Sequence, residues 1–397
     1  MSRNTENFDR WIRGAFVEMN TALEELYFAQ DARDLVQGVG DDIKQALTNE
    51  GLSYIRELLH EGNTGEGFDS AFDLLGNVGL YFAALRRHEV TNPEDPKRPP
   101  PREASALAMH LGTSLGVTPR FATSHLATHN SAIDGVQKRF TSLKDELLFI
   151  DYNTKGILTL KRAADALERV LPLGASHPVA EMLLNDAASA LRDTHRYNDE
   201  LYRSLDLERF FFCVRPYYKT YTVGRHQYRG ANAGDFSGVN EIDMLLGLCQ
   251  ASDPYYSQLL VDKMLFMMPE DQARLRDCMR RTSLLDQFLA AADTSAHADW
   301  FQTNAKAFLT ACDAYGAIAR QHHDLLVKRF IEAPARKLPE ERQTQLTASG
   351  PPLPVLLQSL EVLRDLRLAE NRTDIPSRYA DFARLRALVG GSSGAVA

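Results

Sequence analysis

Residues 305–330 read "AKAFLTACDAYGAIARQHHDLLVKRF". Apolar residues return every three or four positions, which lines one face of an α-helix. The same period runs through "FDRWIRGAFVEMNTALEELYFAQDARDLVQ" (8–37), "LTLKRAADALERVL" (158–171) and "AEMLLNDAASALRDTHRYNDELYRSL" (180–205). Strand-type alternation does not extend beyond one short segment. The expected fold class is therefore all-α. No repeat of 20–50 residues stands out, which argues against a solenoid.

Two stretches interrupt the helical pattern. "VTNPEDPKRPPPRE" (90–103) is rich in proline, which forbids helix interior and favours an extended surface linker. "VRPYYKTYTVGRHQYRGANAGDFSG" (214–238) is a long Gly- and Tyr-rich segment between helices. Loops of that length inside a compact domain are usually functional. These breaks suggest an N-terminal helical domain over 1–140, with the linker near 90–103 inside it. A second helical domain follows over 141–388, and "GGSSGAVA" closes a disordered tail at 389–397.

The 397 residues are 44% apolar and can bury a large core. A net charge of −8 argues against a nucleic-acid partner. Basic clusters such as "RLRDCMRR" (274–281) are short and interrupted, as on a solvated face. The four cysteines are scattered, with no CxxC and no zinc-type Cys/His cluster. A reduced, cytoplasmic protein fits that usage. The N-terminus lacks the apolar core of a signal peptide, and no apolar run approaches about 18 residues, so no membrane span is expected.

The opening stretch carries two adjacent histidines. In α-helical projection Arg320, His323 and Val327 share a face, while His322 lies about 100° away. One neutral imidazole with an arginine a turn earlier suits a haem: the ring nitrogen takes the iron and the guanidinium pairs with a propionate. A hydrogen-bonded structural histidine is the plain alternative. His125 and His129 form an HxxxH pair, "HLATH", but neither a third ligand nor HExxH accompanies them.

Two motifs add weight. "HHDLLVKRFIEAPA" resembles the haem-ligand helix of the indoleamine/tryptophan 2,3-dioxygenase superfamily, and "TASGPPLPVLLQSLEVLRDLR" resembles its glycine-rich loop and final helix. "FFFCVRPYYKTYTVGRHQYRGANAGDFSGVNEIDMLLGL" is similar to the superfamily's Arg-Pro, glycine-turn and "D-LLG" signature. "RFATSHLATHNSAIDGVQKRFTSLKDELLFIDYNTKGILTLKRAADAL" and "GLYFAALRRHEV" resemble the monodechloroaminopyrrolnitrin synthase branch, and the likeness covers roughly residues 65–370.

The resemblance implies a two-domain helical protein holding haem b, with His323 as the iron ligand and Arg320 as propionate partner. It places Gly230, Asn232, Ala233 and Gly234 in the turn over the haem edge, and Arg215 on the substrate carboxylate. Phe210, Phe211 and Ile150 would line the substrate ring. His125 and Thr154 are catalytic candidates in the distal pocket, which the N-terminal domain would cover, and His129 is structural. Ser349 lies in the loop that closes over substrate. That loop departs from the family: Gly350 is followed by Pro351 and Pro352, which remove two N–H donors, and this puts tryptophan itself in question.

The implied activity is a bacterial secondary-metabolism oxygenase that uses O2 on a tryptophan-like amino acid, with an electron donor as a candidate partner. Oligomeric state is left open by these motifs. Two other readings are a non-catalytic haem carrier, which would keep His323 without needing Arg215 or His125, and a cofactor-free helical protein.

Overall fold

Helix starts written into the sequence are found where side chains can cap them. A computed structural model describes residues 2–62, 67–231, 234–336 and 353–390. The Ser2 hydroxyl accepts the Thr5 N–H at 3.2 Å and opens α1 (Arg3–Arg13). Asp253 accepts the Tyr256 N–H at 2.8 Å, with Pro254 in the first turn, where its missing N–H costs nothing. Helix dominates the described residues, and their sheet is one antiparallel hairpin, as the all-α expectation requires. Among the described residues no helix is long and apolar enough to cross a membrane.

The chain makes two compact units, each from three segments. The first comprises residues 1–153, 204–235 and 330–356. After α1 come α2 (Ala15–Phe28), α3 (Asp41–Glu61), α4 (Phe68–Arg87), α5 (Arg102–Leu115) and the start of α6 (Lys144–Leu173). Helix α4 is buried nearly all round, from Ala71 to Leu85, as a helix apolar on every face should be. Its glycines permit the closest approaches. A Cβ on Gly79 would sit 2.3 Å from the Phe121 nitrogen, and one on Gly76 would sit 2.4 Å from the His125 ring.

The proline-rich segment 90–103 lies within this unit. It is a hydrogen-bonded loop in which the Asn92 N–H donates to the Arg98 carbonyl at 2.9 Å and Arg98 pairs with Asp95. Whereas the sequence reading divides the chain once near residue 140, the first unit takes up the chain again at 204 and at 330.

Segment 204–235 enters the first unit through buried polar contacts. Arg87 grips Glu24 with two bonds of 2.7 Å and donates to the Phe212 carbonyl at 2.9 Å. Arg120, fully buried, donates to Asp235 at 2.6 Å, and Arg229 pairs with the other oxygen of that carboxylate. Strands β1 (Tyr221–Val223) and β2 (His226–Tyr228) pair antiparallel across a turn with Gly224 at φ +61°. The expected loop 214–238 thus holds a hairpin too short to read as alternation.

The second unit comprises 154–203, 236–329 and 357–397. It contains the rest of α6, α7 (Pro178–Ser204), α8 (Gly238–Leu245), α9 (Pro254–Met264), α10 (Pro269–Cys278), α11 (Leu284–Ser295), α12 (Asp299–Gln321), most of α13 (Leu353–Arg367) and α14 (Tyr379–Gly390). One core joins Leu167, Leu184, Ile242, Phe288 and Phe308, none of them exposed. Inside it, Asp243 of the "IDMLLG" motif accepts two bonds of 2.8 Å from Arg367, one of 2.7 Å from Tyr256 and one of 2.9 Å from Tyr315. These four bonds satisfy both oxygens of a carboxylate that has no access to water. Of the expected tail, 391–397 lies outside the described residues.

Candidate active site

Both segments that carry the motifs wind more widely than α-helix. Phe210–Val214 is a π-helical turn running into a tight 3₁₀ turn at Arg215–Tyr218. The chain beyond α12 continues as π-helix over His322–Glu332. Such i→i+5 segments are rare and concentrate at functional sites.

The widening changes the faces. Arg320 is exposed, whereas Gln321, His323, Val327 and Phe330 are buried. The α-helical projection that grouped Arg320 with His323 and Val327 does not carry across His322, where the winding changes. Arg320 is thus not on the buried side that holds His323.

His323 is 6% exposed, and its Nδ1 has no hydrogen-bond partner among the described residues. Burial, reinforced by the facing Arg364 and Lys328, holds its pKa below the usual histidine value. The ring is therefore neutral near pH 7. A buried nitrogen without a partner costs about 1–3 kcal/mol, a price a ligand would remove. His322 beside it is half-buried, its pKa lowered to about 4 by burial and by Arg367. Among the described residues no three His, Cys, Asp or Glu gather to hold a metal. A single uncommitted imidazole is the donor set that a haem takes from a protein, so His323 fits that group.

Arg215 of the first unit is buried, and its guanidinium makes no hydrogen bond or ion pair with any described residue. The Phe211 ring lies 5.3 Å from it, a cation–π contact. Desolvation alone lowers its pKa to about 10. A buried cation without a counter-charge is costly, and a carboxylate ligand is the natural complement. Phe210 and Phe211 are both buried. Phe210 meets Phe149 of α6 at 5.1 Å and the edge of Phe330 at 5.9 Å. Ile150, next along α6, lines a cavity of about 150 Å³ together with Gln137, Arg139 and Leu147. Thr154 follows one turn later and is half-buried.

His125 is placed differently from the expectation. Its Nδ1 accepts the Ala122 N–H at 2.8 Å, and its Nε2 donates to the Phe72 carbonyl at 2.8 Å. The ring stacks on Phe72 at 3.9 Å and abuts Gly76. Burial drives its pKa down to about 3. Both nitrogens are engaged by the backbone, so neither reaches toward a substrate in this arrangement. His129 bonds the Thr128 hydroxyl through Nδ1 at 3.0 Å.

Gly230 is buried and Gly234 half-buried, while Asn232, Ala233 and Ser349 lie outside the described residues. Sequence reasoning missed two features. Lys219, a cation four residues after Arg215, was overlooked because no motif names it. The Asp243–Arg367 pair was overlooked because its partners are 124 residues apart.

The family model described as monodechloroaminopyrrolnitrin synthase PrnB matches residues 2–389. This span takes in both π-helical segments, His323 and Arg215, and the chain belongs to that family.

Proposed function

We propose that this chain is a haem-dependent oxygenase that uses O2 on an aromatic, tryptophan-like amino acid. Family membership supports the oxygenase class. The observation that carries the reading is His323, a buried neutral imidazole with an unpartnered nitrogen in a π-helical segment. Haem, when bound, supplies the iron at which O2 is activated. The protein's part is to bind and orient. His323 holds the iron. Arg215 pairs with the substrate carboxylate, as a planar guanidinium does bidentately. Phe210 and Phe211 offer apolar surface to an aromatic ring, and fixing that ring supplies much of the rate. A haem carrier would have no use for the unpaired Arg215. The same reading takes the haem as b-type and the role as bacterial secondary metabolism, with an electron donor as a candidate partner.

Haem reconstitution followed by absorption spectroscopy tests this. The parent protein is expected to bind haem stoichiometrically with a Soret band that shifts on adding tryptophan. His323→Ala should lose the haem or need added imidazole to keep it, while His322→Ala should retain it. Haem retention by His323→Ala with an unchanged spectrum would sink the assignment.

A further inference from the structure

The 3₁₀ turn that carries Arg215 ends on Lys219, whose ammonium also makes no hydrogen bond or ion pair with a described residue. The two arginines that end α4 hold this segment at both ends. Arg87 donates to the Phe212 carbonyl, and Arg86 donates through Nε to the Thr220 carbonyl at 3.3 Å. Arg87 is neutralised by Glu24. Glu89, the acidic group near Lys219, is engaged by Gln37 at 2.9 Å and Arg98 at 3.4 Å. Arg215, Lys219 and Arg86 therefore form a cationic cluster in which neither Arg215 nor Lys219 is bonded to a carboxylate among the described residues, while Glu89 and Glu94 act on Arg86.

We propose that Lys219 is a second carboxylate-binding residue, so that the substrate's carboxylate is held between the Arg215 guanidinium and the Lys219 ammonium, with Arg86 adding positive field. This rests on the substrate role given to Arg215 above. The groups facing Lys219 are Arg86 and Arg87 of α4, Glu89 just beyond it, and Arg215 on its own segment. Lys219 is half-buried, and this partial burial with the three arginines lowers its pKa to about 7, while Glu89 opposes them. An arriving carboxylate reverses the balance and draws a proton onto the amine. Binding should thus take up part of a proton near pH 7.5. Affinity should be flat below pH 7 and fall above it, by up to roughly tenfold per pH unit.

Indole-3-propionate is the probe, since its carboxylate stays ionised and it carries no amine. Its neutral amide is the control. Calorimetry of the haem-loaded protein at pH 6.5, 7.5 and 8.5, in buffers of different ionisation enthalpy, reads affinity and proton uptake together. The parent should show the falling profile and the uptake. Lys219→Met should bind roughly tenfold more weakly at pH 6.5, with a flat profile and no uptake. Lys219→Arg should restore tight binding without the pH dependence, which a merely structural role would not produce. Lys219→Met binding with the parent's affinity and profile would overturn the proposal while leaving Arg215 in place. Arg215→Ala binding like the parent would overturn the underlying reading instead. Haem loss from Lys219→Met with acid affinity unchanged would move the carboxylate to the cofactor, and no binding of the acid by the parent would end both ideas.

Discussion

At the scale of single residues, a histidine's partners decide its work. His323 and His125 are both buried and both neutral, yet one has a nitrogen to spare and the other has none. Sequence spacing cannot distinguish them, because the Ala122 N–H and Phe72 carbonyl that engage His125 are set by tertiary packing. Arg215 was legible as half of an Arg-Pro motif, but its lack of a counter-ion was not. His125→Ala should therefore act on stability more than on chemistry. It takes the acceptor from the part-buried Ala122 N–H and one donor from the buried Phe72 carbonyl, at about 1–3 kcal/mol together, and removes a stacked ring. Its titration has a definite sign. The folded-state pKa of about 3 lies below the usual 6.5, so the unfolded chain binds the extra proton between those values. The stability contribution is whole above pH 6.5 and drains away as pH falls toward 3. Urea midpoints of parent and His125→Ala should converge as pH drops from 7 to 4. A variant as stable as the parent at pH 7 would contradict this account.

At the scale of elements, the helices were legible because their three- and four-residue period is local, and the family motifs pointed to the segments that hold the candidate site. The π-windings were not legible. An i→i+5 turn uses the same residue types as an α-turn, so nothing at Phe210 or His322 announces it. That is why Arg320 was grouped with His323 and is found exposed. Helix α4 shows a second hidden demand, close packing at its glycines. On Gly79 an added methyl meets backbone atoms of Phe121 at 2.3 Å and 2.8 Å, which cannot rotate away. On Gly156 of α6 no atom of the described residues stands within 4 Å. Gly79→Ala should cost about 1–3 kcal/mol or more by overpacking. Gly156→Ala should stabilise by about 0.5–1 kcal/mol through helix propensity and a less flexible unfolded chain. Chemical denaturation of the two variants checks the opposite signs, and equal midpoints would mean that α4 has room the structure does not show.

At the scale of the whole molecule, the organisation departs from a chain cut once near residue 140. Composition shows where linkers are plausible, but it does not show which distant segments complete a core. In the first unit, residues 1–153 depend on 204–235 for specific groups. Arg120, fully buried, has its counter-ion in Asp235. The Phe121 N–H donates to the Tyr221 hydroxyl at 3.1 Å, and Phe82 stacks on the Tyr221 ring at 5.8 Å. Phe140 stacks on Tyr217 at 4.3 Å, and Asp145 accepts the Asp206 N–H at 2.8 Å. A fragment ending at 153 would keep Arg120 without its carboxylate and lose three buried tyrosines, Tyr217, Tyr218 and Tyr221, from its core. Removing one partner of a buried ion pair alone costs about 3–5 kcal/mol, a large part of a domain's stability. Expressed by itself, 1–153 should therefore keep helix in the far-ultraviolet spectrum but show little near-ultraviolet signal and no sharp unfolding transition. Joining 204–235 to it through a flexible linker should restore both, because the missing groups return without the second unit. Cooperative unfolding of 1–153 alone would show that the N-terminal segment is a domain in its own right, as a single cut near 140 would have it.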